Sequence, residues 1–100
     1  MFDKLQSIEE RYDKLMALIS DPAVQADSNA YRTHTKALAE IQPLIEKFCE
    51  YKAVVTEAAQ AKELVDGDDA ELRELAEQEL AALTSRQDDL LAEIKVLLLP

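Results

Sequence analysis

One glycine, three prolines, one cysteine, one histidine, no tryptophan and only five aromatic residues stand in a chain of 100. Each scarcity removes a class of protein. With so little glycine and proline there are few turns, and Val and Ile are too sparse and too irregularly placed for strands of period two. A lone Cys49 allows no internal disulfide and does not point to an oxidising compartment. The first residues lack the basic flank and apolar core of a signal peptide, and no run of about 20 apolar residues could span a bilayer. A cytoplasmic chain with no membrane partner is expected. Bases are scarce as well. There are 21 acids against 11 Lys and Arg, a net charge of −10. Residues 1–56 carry nine acids and seven bases, whereas residues 57–100 carry twelve and four. Direct binding of nucleic acid by this piece is disfavoured, because phosphate contact needs clustered cations. The acidic half suits a basic protein partner, or its acids simply solvate exposed helix faces.

What is abundant is Ala, Leu, Glu, Asp, Gln and Lys, the composition of long helices and coiled coils. Leu5, Ile8, Tyr12, Leu15 and Ile19 recur at alternating spacings of three and four, a heptad seam on a first helix over about 3–19. Phe2 extends the seam at its front. Ser20-Asp21-Pro22 stops the helix, since the residue before proline is pushed out of helical geometry, and Asp21 can cap a short turn with Pro22 in its first position. A second helix, over about 28–65, starts after Asp27 or Ser28. Its apolar side is Tyr31, Leu38, Ile41, Ile45, Phe48 and Val55, with His34 and Lys52 on the same seam. Pro43 removes one backbone hydrogen bond and crowds the preceding turn, so a kink near residue 43, or a break, is expected. Gly67 stands in Asp66-Gly67-Asp68 where a left-handed C-cap is wanted, and Asp68 and Glu71 have capping-box spacing. A third helix then covers about 69–98, with Leu72, Ala76, Leu80, Leu83, Gln87, Leu90, Ile94 and Leu97 inward.

The expected fold is all-α: an elongated antiparallel three-helix bundle or coiled coil, with a short first helix packed on a long α-hairpin. Folding back at Gly67 sets Ile45 near Leu90 and Leu38 near Leu97. The first helix then reaches only as far as Phe48. Beyond it, residues 50–82 form a bare two-helix arm, rich in small alanines and in acids. Seven of the fourteen residues from Asp66 to Glu79 are acidic. The apolar end Val96-Leu97-Leu98-Leu99-Pro100 cannot be buried by one neighbour and reads as a junction, so residues 1–100 are taken as one domain of a longer protein.

No catalytic constellation is visible. His34 has no partner for acid–base work and is read as a tucked or rim histidine. Cys49 lacks a second Cys or His and is read as a small buried hydrophobe. Asp66-Gly67-Asp68-Asp69-Ala70-Glu71 has its glycine second, not sixth as a calcium loop requires. No metal, no cofactor and no catalytic residue is assigned. The arm tip is the candidate protein-binding site, from exposure and charge: Leu64, Val65, Asp66, Asp68, Asp69, Glu71 and Leu72.

Local motifs go further than periodicity. Met1-Phe2-Asp3-Lys4-Leu5-Gln6-Ser7-Ile8-Glu9-Glu10-Arg11-Tyr12, then Leu18-Ile19-Ser20-Asp21-Pro22, then Tyr31-Arg32, Glu71-Leu72-Arg73-Glu74-Leu75-Ala76-Glu77-Gln78-Glu79-Leu80 and the Leu97-Leu98-Leu99-Pro100 end, resemble in that order the first domain of bacterial class I peptide chain release factors. The opening and the end favour the release factor 1 branch over its release factor 2 paralogue. The resemblance covers the whole chain. It implies a parent that enters the ribosomal A site at UAA or UAG and triggers hydrolysis of the peptidyl-tRNA ester. A Gly-Gly-Gln loop and a codon-reading tripeptide would do that work, and neither occurs here. The implied role of this piece is a non-catalytic docking arm towards the large-subunit stalk base, near the class II release factor GTPase, with stop codon and tRNA touched only by other domains. A free-standing acidic coiled-coil adaptor or dimerisation module fits the heptad seams equally well. A tRNA-binding hairpin does not fit the charge.

Overall fold

The computed structural model describes Met1–Pro100. It is an all-α helical bundle, 89% helical and without strands. Four helices follow in order: α1 (Phe2–Ile19), α2 (Pro22–Ala26), α3 (Ser28–Val65) and α4 (Ala70–Leu97). The chain divides into two compact units, Met1–Glu46 and Lys47–Pro100.

The first unit holds α1, α2 and the opening part of α3. Leu5 and Leu15 of the α1 seam are buried, and Ile8, Tyr12 and Ile19 are half-buried. The stop after Ile19 is built from side chains as well as proline. Ser20 Oγ donates to the Met16 carbonyl at 2.8 Å and Gln25 Nε2 donates to the Ile19 carbonyl at 2.9 Å. The Met16 carbonyl also takes the Ser20 N–H at 3.2 Å, and Gln25 supplies a donor to the Ile19 carbonyl at the open helix end. Asp21 caps α2, its carboxylate accepting from the Ala23 N–H at 2.9 Å, with Pro22 in the first helical position. One and a half turns of α2 are enough to turn the chain back, and α2 packs on α1. Asp27, not Ser28, caps α3, accepting from the Asn29 and Ala30 N–H groups at 3.1 Å each.

The helix α3 runs for 38 residues, about 57 Å at 1.5 Å per residue. It continues through Pro43, so the expected break into two helices does not occur. Pro43 is exposed, which keeps the missing hydrogen bond on the solvent side where water can take the freed carbonyl.

The second unit is a helical hairpin of α3 from Lys47 onward and α4. Two ion pairs cross it in antiparallel register, Lys47 Nζ to Glu93 Oε2 at 3.1 Å and Arg86 to Glu50. Phe48, Val54 and Ala61 of α3 and Ala76, Leu90 and Ile94 of α4 are its buried core. Alanine at Ala61 and Ala76 lets the two backbones approach closely near the turn. The expected seam needs correction here. Val54 is buried and Val55 is exposed, because beyond Phe48 the inward line steps through Tyr51, Val54, Ala58, Ala61 and Val65. Lys52 is not inward either. Its ammonium lies 4.8 Å from the centre of the Phe48 ring, one turn earlier, while Tyr51 stacks on that ring at 6.5 Å.

The turn also differs from expectation. Gly67 has no positive φ. The chain leaves α3 through the Asp66 N–H to the Lys62 carbonyl and the Gly67 N–H to the Leu64 carbonyl, without a left-handed residue. Asp69, rather than Asp68, is the N-cap of α4, its carboxylate accepting from the Glu71 and Leu72 N–H groups at 3.0 and 3.2 Å. At the far end Leu97 is exposed and Leu98 is half-buried. The position four residues after Ile94 continues the inward line, which moves the seam from Leu97 to Leu98.

Candidate functional site

The hairpin turn brings the seven expected tip residues into one neighbourhood, the last turn of α3, the link and the first turn of α4. Asp66, Asp68, Asp69 and Glu71 are exposed, and Val65 is half-buried. Leu64 and Leu72 are each 46% exposed. Leu72 was expected to point inward. The inward line of α4 begins instead at Ala76. Asp69 is committed to capping α4, so it is a structural residue of the turn more than a free acid.

Sequence reasoning passed over Leu75, the most exposed leucine of the hairpin at 63%. It lies one position off the heptad seam, next to the fully covered Ala76. A leucine outside the seam of an amphipathic helix was the signal that could have found it.

At the other end of the hairpin the charges are paired. Arg86 Nε and Nη2 both donate to Glu50 Oε1, the former at 3.2 Å. The guanidinium hydrogen bond holds the Glu50 carboxyl below the usual carboxylate range, and Arg86 is raised in turn. Both side chains are about two-fifths exposed, so solvent screens the pair. A shallow depression lined by Lys47, Glu93, Val96 and Leu97 lies beyond it. A second one, in the first unit, is lined by Lys14, Ala17, Leu18 and Asp21.

His34 is half-buried. Cys49 is exposed, which corrects its reading as a buried hydrophobe. It follows the buried Phe48 directly in sequence, one helix position off the inward line. No cluster of three or more His, Cys, Asp or Glu is placed to hold a metal ion, and no helix is long and apolar enough to cross a membrane. The geometry offers surfaces for contact, and the hairpin is the most distinctive of them.

The family model described as the PCRF domain matches residues 8–100. The chain belongs to the PCRF domain family. This PCRF domain is 44% identical over its full length to peptide chain release factor 1 of Carboxydothermus hydrogenoformans, and 41% identical to those of Halalkalibacterium halodurans and Acidobacterium capsulatum. In each case it spans 28% of the relative's length, and the match is to the N-terminal region. No solved structure matches the chain.

Proposed function

We propose that this PCRF domain is the N-terminal, non-catalytic docking arm of a bacterial release factor that ends translation at UAA and UAG codons in the cytoplasm. The observation that carries the reading is the similarity over the whole chain to release factor 1 proteins. The single glycine leaves no Gly-Gly-Gln loop in these residues, so attack of water on the peptidyl-tRNA ester belongs to the rest of the parent protein. So does reading of the codon. The contribution of this domain is then binding energy and placement, for which an acidic hairpin with exposed leucines is suited. Its partners in this reading are the stalk base of the large ribosomal subunit and, beside it, the class II release factor GTPase. The contact is the tip around Leu64, Asp66, Asp68 and Leu72. No cofactor and no membrane take part.

Peptide release by the full-length protein on ribosomes programmed with UAA, UAG or UGA tests the parent activity. Release at UAA and UAG, and none at UGA, is expected; release at UGA, or at no codon, overturns it. Reversing Asp66, Asp68 and Glu71 to Lys in the same protein tests the docking role. The factor concentration for half-maximal release should rise while the maximal rate stays unchanged. A fall in maximal rate with an unchanged half-saturation point contradicts docking.

A further inference from the structure

The side of the hairpin that carries the ion pairs continues into a different surface at the tip. Helical geometry at about 100° per residue places Glu57 and Leu64 within about 40° of Glu50 on α3, and Leu72, Leu75 and Glu79 within about 40° of Arg86 on α4. Because Glu50 and Arg86 are bonded to each other across the hairpin, these two lines of residues flank one and the same face. Its base is neutralised by the pairs Arg86 with Glu50 and Lys47 with Glu93. Its tip holds three leucines that are 46%, 46% and 63% exposed, Leu64, Leu72 and Leu75. Around them stand Glu57, Glu71 and Glu79, all exposed. The bases nearest in sequence, Lys62 and Arg73, lie about 160° away from Leu64 and Leu75 on their helices.

We infer that this face is a docking surface for an amphipathic protein segment, an apolar stripe flanked by Lys or Arg. The inference rests on the docking reading above and adds the chemistry of the partner. Three leucines on one side of a two-helix tip supply an apolar strip too wide for scattered surface leucines. The acids around it select the sign of the rim. A second copy of this chain would set glutamates against glutamates. An RNA backbone or an anionic lipid surface meets the same repulsion and gains nothing from leucines that must contact an apolar stripe. A helix with basic flanks satisfies both halves of the surface at once.

Binding of fluorescent peptides to the 100-residue chain, read by anisotropy at about 0.1 M salt, tests this. The probes are a three-heptad helix with leucines on one face and Lys on its flanks, and the same helix with Glu in place of Lys. The Lys peptide should bind and the Glu peptide should not. Replacing Leu64, Leu72 and Leu75 together by Ser leaves every charge in place and should weaken binding about tenfold or more, with helical content by circular dichroism unchanged. Replacing the exposed Val96 and Leu99 by Ser should leave affinity within about twofold. Equal binding by the leucine variant would reduce the interaction to bare charge attraction and overturn the inference. So would equal binding of both peptides, or concentration-dependent dimerisation that the leucine variant abolishes. Codon-dependent release by the full-length protein is scored separately, so loss of the leucine surface and loss of the release reading give different results.

Discussion

At the residue scale the turn of the hairpin shows how two neighbouring aspartates come to do different work. Spacing points to Asp68 as the cap, through its capping-box partner Glu71. The structure gives the cap to Asp69, whose carboxylate takes two N–H groups of the first turn of α4. Asp69→Ala should therefore lower stability by about 1 kcal/mol, the usual cost of a lost N-cap. Asp68→Ala, with no backbone hydrogen bond to lose, should change it by less than about 0.5 kcal/mol. Urea denaturation of the two variants checks the assignment, and equal losses would return the cap to Asp68. The same residues show why the tip was only partly legible in the sequence. Exposure of the acids followed from charge. Which acid is tied to the backbone depends on where the link leaves α3, and Gly67, without a positive φ, leaves it by a tighter path than a left-handed cap would.

At the scale of elements, helices α1, α3 and α4 were legible to within a residue or two, because seams of three and four, with aspartate caps on α3 and α4, leave little freedom. What was not legible was phase. Val54 and Val55 are adjacent, equally apolar and equally β-branched. Only the slide of the inward line after Phe48, through Tyr51, decides which one is covered. Alanines on the arm hide the seam further, since Ala58, Ala59 and Ala61 are alike to any periodicity count. Pro43 is the other element-scale lesson. Packing along α3 outweighs a residue that disfavours helix interiors by about 3 kcal/mol relative to Ala. Because Pro43 is exposed and the helix passes through it, Pro43→Ala should raise stability by about 1–3 kcal/mol. The measurement is a shift of the denaturation midpoint to higher urea with an unchanged slope. Unchanged or reduced stability would mean that the local geometry at Pro43 is needed by its neighbours.

For the whole molecule the governing quantity is its charge of −10, eight of it in residues 57–100. Folding the hairpin gathers those acids, and only partly exposed pairs such as Lys47 with Glu93 and Arg86 with Glu50 offset them. Exposed pairs contribute little, so repulsion among the acids outweighs attraction within the fold. Salt screens both, with a Debye length near 10 Å at 0.1 M and about 3 Å at 1 M. Raising sodium chloride from about 0.02 to 0.5 M should therefore raise the melting temperature by several degrees. Chloride is the right anion, because sulfate would stabilise any fold by exclusion from its surface. A falling melting temperature would mean that the ion pairs dominate and that the acids are better compensated than their number implies. Docking to a basic partner depends on attraction between molecules, so the same titration should weaken binding of the Lys-flanked peptide while it stabilises the fold. Opposite signs from one salt series separate the two roles of the acids, destabilising within the chain and attractive towards a partner. A leucine face that carries the affinity should leave residual binding at high salt, where Coulomb attraction is screened and apolar contact is not.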